Sequence, residues 1–114
     1  MTIRDRVPCC IHSDKAGLSD RLLTALLMIE MIIGHELQYT SGLRCPECNK
    51  KAGGEVNSAH LFGLAADAVC IDSRTRYRVI GALYQLGIQR YGPDHSFLHI
   101  DVDKDLPQEV CWLY

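Results

Sequence analysis

The stretch Ser58-Ala59-His60-Leu61-Phe62-Gly63-Leu64-Ala65-Ala66-Asp67 sets a histidine and an aspartate seven residues apart, with only small or apolar side chains between them. Downstream, Phe97-Leu98-His99-Ile100-Asp101-Val102 carries another histidine in a similarly apolar run. Two imidazoles and one carboxylate form a ligand set for a zinc ion that keeps its fourth position open. Asp67 stands inside Leu-Ala-Ala-Asp-Ala-Val, so it must leave water, which is costly without a cation or donors to satisfy it. Along a strand, Leu98 and Ile100 face one way while Phe97, His99 and Asp101 face the other. The residues alone leave two readings open. Either His60, Asp67 and His99 hold a metal, or Asp67 and His99 simply hydrogen-bond each other inside the core.

Outward from this stretch, residues 64–71 are small and apolar and read as a buried strand carrying Asp67. Ser73 is placed to cap a helix running to about Leu86, with Val79, Ile80, Ala82, Leu83 and Leu86 on one broad face and Gly87 closing it. Residues 88–91 and 97–102 are predicted strands of a hairpin, joined by the turn Gly92-Pro93-Asp94. Upstream, Ser19 and Asp20 open a helix over residues 21–33 that is apolar over most of its surface. That helix is expected to be largely buried, with Met28 and Met31 as core filling and Gly34 as its stop. Residues 36–40 could form a short strand before the turn Ser41-Gly42, and Pro46 opens a short helix that Gly53-Gly54 ends. Residues 1–17 show no periodicity and read as an irregular arm, and Trp112 in the tail reads as a core or lid anchor. The expected fold is one α+β domain over residues 1–114, a small antiparallel sheet carrying the site and packed against two main helices.

The 114 residues allow one modest core. A net charge of −2 with no basic run gives no footprint for nucleic acid. The longest apolar stretch, residues 22–33, is interrupted by Thr24 and Glu30 and is too short to span a bilayer. The N-terminal residues mix acid and base with no apolar segment behind them, so a signal peptide is not expected, and the chain is expected to be cytoplasmic as synthesised. Reduced thiols are the better expectation for the six cysteines. Of these only Cys45 and Cys48 have ligand spacing, whereas a structural zinc needs two matched pairs. A thioredoxin-like use of that CxxC lacks a βαβ frame. His12, His35 and His95 take the ordinary reading of surface or core residues.

Ser41-Gly42-Leu43-Arg44, then Asn49 and Gly53-Gly54, then Ser58-x-His60-x-x-Gly63-x-Ala65-x-Asp67, then His99-Ile100-Asp101, resembles the zinc D-alanyl-D-alanine metallopeptidases. These bacterial and phage enzymes cut cell-wall peptides and share a metal core with the hedgehog signalling domain. The resemblance runs from about residue 40 to the C-terminus, the earlier residues matching only as a helix before the core. It implies a zinc ion (Zn2+) bound by His60, Asp67 and His99, with Arg44 and Ser58 on the substrate. It also implies hydrolysis of an amide in a peptidoglycan peptide by zinc-activated water, with Arg44 helping to stabilise the oxyanion. Family members place an acid three residues before the last zinc histidine, or a histidine two before it. Here those positions hold Ser96 and Phe97. Asp94 and His95 are the preferred candidates for the base, while Asp101 could orient a zinc ligand from behind. An alternative from another class is a zinc-stabilised binding module on the same core, without turnover. Which peptide bond is cut, how the chain reaches a cell wall and its oligomeric state stay open.

Overall fold

The computed structural model describes residues 1–114. Its helices are α1 (Ile3–Arg6), α2 (Asp20–Ile33), α3 (Pro46–Lys51) and α4 (Ser73–Gln85). Its strands are β1 (Tyr39–Ser41), β2 (Ala65–Val69), β3 (Arg90–Pro93), β4 (Phe97–Asp101) and β5 (Val110–Cys111), with 3-10 turns at Lys15–Gly17 and Ala59–Phe62. The strands pair in the order β1-β2-β4-β3-β5. All pairs are antiparallel except β3 with β5, so the sheet is mixed. The chain leaving β4 turns back to run opposite to it. Since β3 already occupies that side of β4, the returning tail adds outside β3 and parallel to it.

Period-two alternation sorts the sheet into two faces. Ala66 and Ala68 of β2 and Leu98 and Ile100 of β4 join Leu22, Leu26 and Ile29 of α2 and Val79 and Leu83 of α4 in one core. The α+β architecture is as expected, with α2 and α4 as the main helices. Ser19 caps α2 by accepting from Arg21 N, and Gly34 ends it in the left-handed conformation. The helix buries only one side, however. Met31 is 80% exposed and Met28 44%, so neither fills the core. α2 lies on the outside of the sheet beside α4, and its apolar content exceeds the face it buries.

Other elements differ in detail. Asp72, not Ser73, caps α4, its carboxylate accepting from Thr75 N at 3.0 Å. Gly92 and Pro93 belong to β3, and the hairpin turns at residues 94–96 instead. Proline fits there because β5 pairs only with Arg90 and Tyr91, leaving no neighbour to require a donor at 93. The first 17 residues are not wholly irregular either. Thr2 and Asp5 form a capping box on α1, and Ile3 and Val7 enter the core.

α1 is moored by a buried polar hub. The Glu30 carboxylate of α2 accepts from both terminal nitrogens of Arg6, from Tyr39 Oη at 2.6 Å and from Leu37 N at 3.1 Å. Burial alone would raise its pKa, but the donors from Arg6, Tyr39 and Leu37 outweigh burial and hold it below the usual range. Removing the carboxylate leaves the half-buried Arg6 guanidinium, Tyr39 Oη and Leu37 N without their acceptor, so Glu30→Ala should cost about 3 kcal/mol. A depressed carboxyl contributes stability that is present above its unfolded pKa and lost as pH falls through the folded one. Urea midpoints of wild type and Glu30→Ala should therefore lie far apart near pH 7 and converge below about pH 4. A gap that stays constant with pH contradicts this role.

Candidate metal centre

The face of the sheet turned away from the helices carries the polar residues. Asp67 and His99 are direct cross-strand partners on β2 and β4. Beside them, Ser41 of β1 pairs with Asp67 and Gly92 of β3 pairs with His99. One row thus runs across four strands. His60 reaches it from the 3-10 turn Ala59–Phe62, which Ser58 caps by accepting from His60 N at 3.2 Å. Gly63 ends that turn at φ 68°, and a Cβ there would come within 2.2 Å of the Gly17 carbonyl oxygen. Only glycine suits both the conformation and the approach. The Gly63 carbonyl accepts from Ser19 N, tying the His60 turn to the start of α2.

Three ligand atoms converge. His60 Nε2, His99 Nδ1 and Asp67 Oδ1 are separated by 3.2, 3.1 and 3.4 Å. All three residues are buried. The other nitrogen of each imidazole faces an acceptor: His60 Nδ1 donates to the Gly42 carbonyl at 2.7 Å, and His99 Nε2 donates to Asp101 Oδ2 at 3.1 Å. An acceptor-only partner fixes the proton on that nitrogen, so each ring turns a lone pair toward the centre. Two lone pairs and a carboxylate oxygen at this spacing repel unless a cation lies among them. Tetrahedral zinc with ligands at 2.0–2.1 Å has edges of about 3.3 Å, and the triangle matches that size. These residues could hold a metal ion.

Each is braced from behind. Arg44 spreads its guanidinium over Ser41 Oγ (3.0 Å), Asn49 Oδ1 (3.4 Å) and Asp67 Oδ2 (3.2 Å), leaving Asp67 Oδ1 for the centre. Asp101 accepts from the backbone N–H of Asp103, and its Oδ1 lies 3.2 Å from Arg90 Nε. Burial disfavours ionised Asp67, but in the absence of a metal a proton carried toward it by His60 or His99 outweighs this and holds its carboxyl well below the ordinary range. Burial likewise disfavours protonated His99, yet the flanking Asp101 and Asp67 carboxylates push its pKa up. Asp101 is lowered in turn, His99, Asp103 N and Arg90 overcoming its burial.

The triangle lies in a cleft of about 680 Å³ whose lining includes Arg44, Glu55, Ser58, Arg90, Trp112 and Tyr114. Trp112 packs 5.1 Å from His99, ring centre to ring centre, and Tyr114 lies 4.9 Å from Phe97. Trp112 rests on Gly92, where a Cβ would come within 2.1 Å of its Nε1. The tail therefore forms a wall of the cleft.

Not every sequence candidate is here. Asp94 and His95 sit in the turn between β3 and β4 and do not line the cleft, and the His95 carbonyl instead accepts from Arg76 of α4. The alternation that brings residues 97, 99 and 101 to the cleft stops at the strand end, so those two residues are turned away. Sequence reasoning did not single out the Gly42 carbonyl, Arg90 or Glu55. A backbone acceptor leaves no trace in residue types, and the register Arg90–Asp101 is a fact of pairing.

A family model described as Peptidase M15 matches residues 3–101, a span that takes in the whole triangle and also α1 and α2. No curated protein matches the chain.

Two outcomes follow from the geometry. Metal and proton compete at His99, so zinc affinity should fall roughly tenfold per pH unit below its pKa, and Asp101→Asn should weaken binding about 10–100-fold. Zinc competition titrations over a pH series check both, and a pH-independent affinity contradicts the assignment. Gly92→Ala should displace Trp112 and shift the emission of this sole tryptophan to longer wavelength. Unchanged emission would mean that the wall does not rest on Gly92.

Proposed function

The chain belongs to the Peptidase M15 family, and on that footing we propose that it is a zinc-dependent peptidase hydrolysing amide bonds in peptidoglycan peptides, with His60, Asp67 and His99 as the zinc ligands. The observation that carries this reading is the convergence of two imidazole lone pairs and one carboxylate oxygen at a single point in an open cleft. Bound zinc supplies Lewis acidity, polarising the scissile carbonyl and activating water.

The protein residues supply the rest. Arg44 keeps Asp67 aimed with one terminal nitrogen, and its fixed positive charge borders the cleft where a substrate carbonyl or carboxylate would sit. The Ser58 oxygen is occupied by His60 N, which leaves its hydroxyl proton free to donate to substrate. Trp112 and Tyr114 offer apolar surface to substrate side chains.

A general base must come from the cleft. Of its acids, Asp67 and Asp101 are committed to the histidines and arginines, whereas the Glu55 carboxylate is exposed and makes no ion pair. We assign the proton transfer to Glu55 in place of Asp94 and His95. The presence of Ser96 and Phe97 where relatives carry an acid or histidine favours the second reading, a zinc-stabilised binding module on the same core.

Digestion of purified peptidoglycan by the zinc-loaded protein, followed by identification of the released peptides, tests the proposal and distinguishes a carboxypeptidase from an endopeptidase. His60→Ala should abolish release, and Glu55→Gln should lower kcat about 10²–10⁴-fold while leaving bound zinc unchanged. Full activity in metal-free protein, or no turnover by a fully zinc-loaded wild type, would overturn the peptidase reading; the latter outcome favours the binding module.

A further inference from the structure

A second cluster of metal-ligating side chains lies away from the cleft. Cys10 and His12 come from the segment between α1 and α2. Cys45 and Cys48 come from the cap and first turn of α3. Three sulfurs and one imidazole nitrogen gather within 4.8 Å of one another. His12 Nδ1 is 3.5 Å from Cys48 Sγ and 3.8 Å from Cys45 Sγ. Tetrahedral zinc with Zn–S of about 2.3 Å and Zn–N of about 2.0 Å has S···N edges of about 3.5 Å and S···S edges of about 3.8 Å.

We propose that Cys10, His12, Cys45 and Cys48 bind a second zinc ion in a closed Cys₃His site. Four protein ligands fill the tetrahedron, so this ion has no open position and serves structure. Its thiolates have donors in place: Cys45 N points at Cys10 Sγ (3.3 Å), Cys48 N at Cys45 Sγ (3.4 Å), and Ser13 Oγ lies 3.0 Å from Cys10 Sγ. N–H···S and O–H···S contacts of this kind stabilise sulfur in the charged form that a metal requires. Cys9, Cys70 and Cys111 stay outside the cluster.

The site also has a clear mechanical setting. The segment of residues 10–12 already touches the loop through Cys10 N donating to the Leu43 carbonyl at 3.1 Å. An ion held by both segments fastens the stretch from Gly42 to Cys48. That stretch carries the carbonyl that orients His60 and the guanidinium that braces Asp67. The second ion would act on the cleft only by holding this loop, and its binding does not depend on the function proposed for the cleft.

Metal content and cobalt spectroscopy of the intact, reduced chain test the proposal. Wild type should bind two zinc ions per chain, and His60→Ala and Cys48→Ser one each. The cobalt-loaded wild type should show a thiolate-to-cobalt charge-transfer band, which the His60, Asp67 and His99 set cannot produce. His60→Ala should keep that band and Cys48→Ser should lose most of it. If Cys48→Ser does not fold, the wild-type cobalt spectrum decides alone. A cobalt-loaded wild type without the band, or a zinc content unchanged by Cys48→Ser, would overturn the site.

Discussion

Three electron pairs aimed at one buried point are the constraint on which the rest of this structure depends. Left to themselves, His60 Nε2, His99 Nδ1 and Asp67 Oδ1 gain nothing from being 3.1–3.4 Å apart unless a proton or a metal lies between them. The fold holds them there through rigid elements. Asp67 and His99 are locked by antiparallel register, and His60 by a turn whose two ends are fixed by Ser58 and Gly63. Around them, each free donor or acceptor is taken by Gly42, Asp101 or Arg44. Preorganisation of this kind lets an ion bind without rearranging its ligands.

The helical side of the molecule serves the same end at a distance. α2 presses on the apolar face of β2 and β4, and the backbone N–H of its cap, Ser19, donates to the Gly63 carbonyl at the end of the His60 turn. Glu30 ties α2 to α1 and to the residues leading into β1, the strand that leads to Gly42 and Arg44. Stability of the core and geometry of the cleft are therefore not independent.

Much of this was legible beforehand. The two apolar runs interrupted by Asp67 and His99 announced buried polar groups, and period-two alternation put Asp101 on the same face as His99. Ser19, Gly34, Pro46 and Gly87 marked helix ends correctly because capping is local chemistry. What could not be read depended on distant segments meeting. Met28 and Met31 had the composition of core residues, but the number of apolar positions on α2 did not say how many faces would be covered. Asp94 and His95 are close to His99 in sequence yet do not line the cleft, whereas Glu55, far from it in sequence, does. Cys10 and His12 had no pattern linking them to Cys45 and Cys48, more than 30 residues away. Only the folded arm brings them together.

The wall made by Trp112 has a consequence for how the molecule is built. All three converging ligands lie at or before residue 99, and the aromatic side chains that enclose them follow β4 and the loop after it. The sheet therefore completes its polar row without the tail, and the wall that Trp112 makes on Gly92 encloses ligands already held by strand register and by the His60 turn. Holding the ligands and enclosing them are thus tasks of different segments. This division of labour separates the making of the centre from the shaping of the cleft around it.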